Sequence, residues 1–414
     1  MISKIFNSQS IANKIISVIY SSIFAQILWY IFLPIITRNT TPATFGQYNL
    51  FLSISGFIAI IIGARADLAI LCSNENELEI AKSAHLKVAL YLLAPISIGL
   101  FFTNVFLDWP FGSSLVLLAS LLSAFFTSAY VMDNSKMIKE NNFKKMRTTA
   151  IVKSFLQVLI QVVGSFYISF ALIIGKIFGD LCGFFLRNRV FKITNWKVST
   201  EEIYFLKKNQ LKYMFSLPQN IINALSQFLP IFIITAYFDK MTVGYYSLAF
   251  MLAVVPVGLI GSPTRQVLIS KFSSQKSIGV SKKTASQYSA LIFILGLLAY
   301  SIIYFVGDSL ISFIYGSEWV KSFEYLLLLA IWSLFGLSSI PFVAVLLANH
   351  GDKDFLVYEI IQFIVRFTGL FLGIFLFKEA IDVIAIFVTL TAATIIIFIA
   401  YVLFFFKGRT FNES

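Results

Sequence analysis

The sequence predicts an all-α integral membrane protein with twelve transmembrane spans in two halves of six, and three observations predict it. Of 414 residues, 58% are hydrophobic, only 13% are charged and 45 are phenylalanine, which is more apolar surface than one aqueous core can bury. Runs of roughly 20 apolar residues, the helical length that crosses about 30 Å of hydrocarbon, recur along the chain and are continuous rather than alternating, which favours helices over a barrel. Finally, Phe45 to Leu71 can be laid over Val243 to Ile269 without a gap. This pairs Gly46 with Gly244, Tyr48 with Tyr246, Leu50 with Leu248, Ile62 with Ile260 and Gly63 with Gly261. The repeat divides the chain into halves of similar length, as internally repeated transporters are divided.

The first half, residues 1–190, holds spans at Lys14 to Ile36, Thr44 to Leu71, Lys82 to Leu107, Phe111 to Met132, Thr148 to Ser169 and Phe170 to Val190. Residues 191–210 are the polar linker. The second half, residues 211–414, holds Leu211 to Phe238, Val243 to Leu268, Thr284 to Val306, Phe323 to Ala348, Phe355 to Phe377 and Ile381 to Phe406. The polar opening MISKIFNSQSIANK has no cleavage-like site before the first span and reads as a retained cytoplasmic tail. The longest outer segment, Gly307 to Ser322, has room for one short interfacial helix. Trp109 and Trp319 fall where an outer aromatic belt is expected, and Trp196 falls near the inner face.

The formal charge of +12 does not point to nucleic acid, because the cations gather in alternate loops. With both termini inside, 23 of the 32 Lys and Arg are cytoplasmic, four (Arg38, Lys240, Lys321, Lys378) are outside and five lie within spans. That asymmetry sets orientation. The linker cations are expected either to touch anionic lipid head groups or to serve only as an orientation signal on a solvated helix. Cys72 and Cys182 both fall near cytoplasmic ends, so a structural disulfide is not expected.

The five intramembrane cations are Arg65, Lys153, Lys176, Arg265 and Arg366. Each costs roughly 2.5 to 3.5 kcal/mol if it faces lipid at a helix centre. Arg366 is at the middle of its span and Lys176 is well inside its own, so neither snorkels easily. Arg65, Lys153 and Arg265 lie within about two turns of the cytoplasmic end, where reaching the head groups is a competing explanation. The span acids are Asp67, Asp180, Glu359 and Asp382. Lys176 and Asp180 share a helix face and can neutralise each other as a purely structural pair, whereas Arg65 and Asp67, two apart, are expected on different faces. The balance is cationic and suits a cavity for an anion. His85 and His350 fall near cytoplasmic ends and form no metal-ligand spacing. No phosphate-binding glycine loop or nucleophile motif occurs, so neither ATP hydrolysis nor other catalysis is expected, and no cofactor.

The segment LPIITRNTTPATFGQYNLFLSI (Leu33 to Ile54), in which a helix ends at an Arg, a Thr-Pro turn follows and FGxYxL opens the next span, resembles the opening hairpin of the polysaccharide-transporter branch of the MOP flippase superfamily, which includes the Wzx-type O-antigen flippases. Phe215 to Phe272, Tyr315 to Trp319 and Pro341 to Asn349 fit the same pattern. The resemblance implies two six-helix bundles of MOP/MATE-like form around a central cavity in the bacterial cytoplasmic (inner) membrane. It implies movement of undecaprenyl-diphosphate-linked oligosaccharide repeat units, of O-antigen or capsule, to the outer leaflet by alternating access. It makes Arg65, Lys153, Lys176, Arg265 and Arg366 candidates for binding the cargo, and Asp67 and Asp180 candidates for exchanging a proton or sodium ion. Partners implied are the lipid-linked oligosaccharide, membrane lipids, a glycan polymerase and a chain-length regulator. Competing functions are a cation-coupled MATE-type multidrug exporter, which needs an acid-rich cavity, and a membrane glycan polymerase or ligase, which needs larger outer loops. Polar span residues such as Gln26, Gln157, Gln161, Gln219, Asn220, Asn223, Gln227 and Gln362 either line a wet path or pack helices together.

The topology is directly testable. In a chain whose two native cysteines are replaced by serine, Lys240→Cys is expected to react with an impermeant maleimide added outside, and Lys283→Cys only after the membrane is permeabilised. The reverse pattern would invert the orientation.

Overall fold

The computed structural model describes residues 26–106, 114–187, 197–273 and 277–407. All regular secondary structure among the described residues is helical. It begins with α1 over Gln26–Arg38 and continues with α2 (Pro42–Gly63), α3 (Ala66–Cys72), α4 (Leu78–Phe106), α5 (Ser114–Lys139), α6 (Phe143–Ser165), α7 (Ala171–Arg187) and α8 (Thr200–Lys208). After α9 (Gln210–Tyr237) come α10 (Lys240–Pro256), α11 (Ser262–Ser273), α12 (Ile278–Tyr315), α13 (Ser322–Ala348), α14 (Asp352–Leu376) and α15 (Ala380–Ala400). The chain forms two compact units that divide between Leu225 and Ser226, within α9.

Among the described residues, nine helices are long and apolar enough to cross a membrane, so the expected count of twelve is not reached on that criterion. The first expected span lies partly outside the described residues, as do Trp109, Trp196 and the N-terminal tail. The sixth, α7, has only 17 residues and carries Lys176, Asp180 and Arg187. The eighth is interrupted.

That interruption has a counterpart in the first unit. Thr41 caps α2, its hydroxyl accepting from the Thr44 N–H at 3.3 Å, with Pro42 in the first turn where its missing N–H costs nothing. Asp239 caps α10, accepting from the Thr242 N–H at 2.7 Å. The two caps coincide when the repeat is superposed. The expected unbroken span Thr44 to Leu71 is instead broken at Ala64 and Arg65, whose φ values of 44° and 58° are left-handed. Two such residues in succession cannot continue a right-handed helix. The expected span Val243 to Leu268 is distorted after Pro256, where a π-helical turn, Val257–Gly261, precedes α11 because proline cannot complete the ladder. Helix α2 ends at Gly63 and the π turn at Gly261, again matched positions.

Each unit is built around one helix. In the first, α5 packs against α2, α3, α4, α6 and α7; in the second, α13 packs against α10, α11, α12, α14 and α15. These are the fourth and tenth expected spans, the same place in each half. Helix α12 runs 38 residues, well past the expected Thr284 to Val306. The expected outer segment Gly307 to Ser322 is thereby shortened to a few residues around the 3₁₀ turn Ser317–Trp319. Trp319 is not in an exposed aromatic belt; it is 1% exposed, inside the second unit.

The end of the first unit expected to face the cytoplasm is fastened by ion pairs between elements. Lys82 on α4 meets Asp133 on α5 at 2.5 Å, Lys136 on α5 meets Glu79 on α4, and Lys208 on α8 meets Glu77 in the turn before α4 at 2.8 Å. Helix α8 begins with a capping box in which Ser199 and Glu202 bond each other's backbone N–H. The same Glu202 carboxylate accepts from Lys87 Nζ at 2.8 Å and from the Ser83 hydroxyl at 2.6 Å. Burial pushes the Glu202 carboxyl up, but Lys87, the Ser83 hydroxyl and the Ser199 N–H outweigh it and hold it below the usual carboxylate value. A depressed folded-state pKa gives stability that is complete above the unfolded carboxylate value, about 4.3, and lost as pH falls through the folded one. Thermal unfolding in detergent is therefore expected to show Glu202→Gln less stable than wild type at neutral pH by about 1–3 kcal/mol, with the difference narrowing on acidification below about pH 4. A difference independent of pH would show that the charge of Glu202 contributes nothing.

Candidate functional site

The most highly charged part of the buried interior is at the junction of α5, α6 and α7. Helix α7 carries Gly175, Gly179 and Gly183 at intervals of four, and α6 carries Lys153, Gln157 and Gln161 at the same interval. On helices these make two stripes, and the structure presses one into the other. A Cβ at Gly175 would lie 2.5 Å from Gln161 Cγ, one at Gly179 2.8 Å from Gln157 Cβ, and one at Gly183 2.9 Å from Lys153 Cδ. Gln161 is fully buried and donates to the Tyr48 hydroxyl at 3.1 Å and to the Leu172 carbonyl at 2.8 Å.

The close approach lets Lys153 reach across to α7. Asp180, 0% exposed, receives Lys153 Nζ at 2.8 Å and Lys176 Nζ at 2.7 Å, together with the Ser123 and Thr127 hydroxyls of α5 at 2.8 and 3.3 Å. Lys153 Nζ also stands 3.9 Å from the centre of the Tyr130 ring, and the Arg187 guanidinium lies 3.5 Å from the same centre. Arg187 donates through Nε to Thr149 at 3.0 Å and through Nη1 to the Tyr130 carbonyl at 3.0 Å. Two ammonium groups thus share Asp180, and the third cation, Arg187, meets them through the Tyr130 ring, with Asp133, itself paired with Lys82, as the carboxylate in its surroundings. A buried charge surplus of this kind is costly in a low-dielectric interior, which makes this cluster the candidate site.

The other candidates are dispersed. Arg65 and Asp67, expected on different helix faces, come within 3.8 Å because the left-handed backbone at Ala64 and Arg65 removes the helical spacing on which that expectation rested. They are only partly buried, with Asp67 39% exposed. Arg265 is exposed on α11. In the second unit, Arg366 donates through Nη1 to Ser226 at 2.8 Å; its Nε is shielded from solvent and has no hydrogen-bond partner among the described residues. Tyr246, Tyr358 and Glu359 are in its electrostatic surroundings. Gln362 is used for packing, donating to the Tyr358 hydroxyl at 2.7 Å. No cluster of three or more metal-ligating side chains occurs among the described residues, and both cysteines are free thiols.

Sequence reasoning paired Lys176 with Asp180 but missed that Lys153 shares the same carboxylate. It also counted Arg187, at the end of the sixth span, with the cytoplasmic cations rather than the intramembrane ones, and did not single out Tyr130, Ser123 or Thr127. The overlooked signal was the GKIFGDLCG stripe, Gly175 to Gly183.

A multi-pass bundle of two repeated halves with charges enclosed among its helices is the fold of MOP-superfamily membrane transporters. A lipid II flippase, MurJ, in an inward closed conformation matches with a TM-score of 0.74 at 16% identity, covering 93% of this chain and 86% of that one. An inward-facing MATE-family multidrug resistance transporter matches at 0.64 and 12% identity, over 91% and 93% of the two chains. The Vibrio cholerae MATE transporter VcmN matches at 0.59 and 14%, over 95% and 97%. No curated protein sequence matches the chain. Within that fold class, the chain belongs to the polysaccharide biosynthesis protein family, whose model matches residues 35–324.

The stripe makes a clean test of packing. Gly179→Leu is expected to force α6 and α7 apart and destabilise the protein by about 1–3 kcal/mol. Gly99→Ala, where a Cβ meets nothing within 4 Å, is expected to be neutral or slightly stabilising. Equal thermal unfolding of the two variants would show that the stripe is not a packing constraint.

Proposed function

We propose that this protein is a flippase that carries undecaprenyl-diphosphate-linked oligosaccharide repeat units, of O-antigen or capsule, from the cytoplasmic to the outer leaflet of the inner membrane by alternating access. The observation that carries this reading is the buried surplus of cations: Lys153 and Lys176 on Asp180, Arg187 against the neighbouring Tyr130 ring, and Arg366 with no carboxylate within ion-pair distance among the described residues. An anionic head group supplies the missing countercharge. Membership of the polysaccharide biosynthesis family and the likeness of fold to a lipid II flippase support a lipid-linked glycan as cargo. A glycan polymerase and a chain-length regulator are the partners that would consume the flipped unit.

The energetics favour the direction. Two negative charges moving outward down an inside-negative potential gain roughly 4.6 kcal/mol per 100 mV if uncompensated. Arg65 and Arg265, less buried than the other three, suit contact with the cargo as it arrives or leaves. Asp67 and Asp180 are the groups for a coupling proton or sodium ion; Asp180 already accepts four donors, so an ion reaches it only after a lysine leaves. A multidrug exporter is the poorer reading, because Asp133 and Asp180 are both neutralised by lysine and offer no free carboxylate to an organic cation.

Lys176→Ala and Arg366→Ala, each checked for normal expression, are expected to lower surface glycan at least tenfold and to strand lipid-linked units on the inner leaflet. Undiminished glycan in both variants would sink the reading of these residues.

A further inference from the structure

We propose that Arg187, Tyr130 and Lys153 form a second phosphate-binding subsite beside the Lys176–Asp180 pair, so that the protein holds the two phosphates of a diphosphate separately. This inference rests on the flippase reading.

The first reason is an unmet donor. Arg187 is 6% exposed, its Nε and Nη1 are committed to Thr149 and the Tyr130 carbonyl, and its Nη2 is shielded from solvent with no acceptor among the described residues. A buried guanidinium N–H group without a partner costs a few kcal/mol, and guanidinium favours phosphate oxygens.

The second reason is distance. Lys153 Nζ and the Arg187 guanidinium lie 3.9 and 3.5 Å from one ring centre, so they can be no further apart than those two distances together. Once Lys153 leaves Asp180, one phosphate at the edge of the ring accepts from both cations through different oxygens. Tyr130 provides a π-face that holds both cations in place before a ligand arrives.

The third reason is charge and order along the helix. Lys153, Lys176 and Arg187 exceed Asp180 by two charges, and a diphosphate diester carries two ionised oxygens. Lys176, Asp180 and Arg187 occupy one stripe of α7. Lys153, in contact with both Asp180 and the Tyr130 ring, joins the two subsites. The arrangement is closed in this conformation. When the cargo binds, Lys153 and Lys176 exchange the Asp180 carboxylate for phosphate, and the Ser123 and Thr127 hydroxyls keep hold of Asp180.

The test uses the full-length protein in vesicles of neutral phosphatidylcholine, with fluorescent undecaprenyl-diphosphate–GlcNAc and its monophosphate counterpart as probes. Wild type is expected to prefer the diphosphate tenfold or more in KM. Arg187→Lys, which keeps the charge but loses the fork, and Tyr130→Leu are expected to reduce that preference to about twofold through a raised KM for the diphosphate. A merely structural role for Arg187 lowers both substrates equally, and that result overturns the proposal, as does an unchanged preference in both variants. If the preference appears only when anionic phospholipid is added, the subsite belongs to a lipid head group and the proposal fails. If wild type moves neither probe while binding both, the flippase reading itself fails. If Lys176→Ala and Arg366→Ala abolish transport but the Arg187 and Tyr130 variants keep full discrimination, only the second subsite is lost.

Discussion

The organisation of the first unit follows from one requirement: a carboxylate placed among apolar helices must be given donors before it can stay ionised. Asp180 receives two ammonium groups and two hydroxyls from three helices, α5, α6 and α7. Each donor constrains the next element. Lys153 reaches Asp180 only because the glycines of α7 admit α6 to close range. Ser123 and Thr127 tie α5, the helix around which the unit is built, to the same point. Apolar packing alone leaves helices in lipid free to rotate or slide, because lipid tails compete equally for their surfaces. A shared buried charge removes that freedom. The net result is a rigid cationic core whose own acid covers only part of its charge.

Much of this architecture was legible in the chain. Long apolar runs gave the spans from α13 to α15 to within about a turn and those from α4 to α6 to within two turns, since hydropathy reports directly on transfer into hydrocarbon. The pairing of Lys176 with Asp180 was legible because four residues is one helical turn. What was lost were features set by backbone geometry or by partners distant in sequence. The approach of Arg65 to Asp67 depends on two left-handed residues, Ala64 and Arg65, neither of which is a glycine that would have announced the break. Lys153 joined Asp180 from 27 positions away, and Arg187 was counted with the cytoplasmic cations because a charge at the end of an apolar run looks like an exit from the membrane. Trp319 was misread for a similar reason: its place in sequence fits the interface, but the fold turns it inward.

The internal repeat is clearer in the structure than in its few identities. The caps Thr41 and Asp239 coincide, α2 and the π turn end at the matched Gly63 and Gly261, and α5 and α13 occupy the same central position in their units. The chemistry of the matched positions differs. The first half breaks its helix with left-handed residues and the second with proline and a π turn, so the bend has been kept while the side chains that make it have changed. The charges are unequal too: the first unit concentrates its cations around Asp180, and the second keeps Arg366 against a serine.

Helix α12 adds a link to the surrounding bilayer. At about 1.5 Å per residue its 38 residues reach about 57 Å, and bulky apolar side chains stay exposed from Leu291 to Phe313. A rod whose greasy stretch exceeds the hydrocarbon thickness must lean, or draw the surrounding lipids into a thicker collar. Its angle is then set partly by the chain length of its neighbours. The same polypeptide in a thin and a thick membrane would sit under different mechanical load, which makes lipid composition a determinant of how readily this helix, and α13 packed along it, can move.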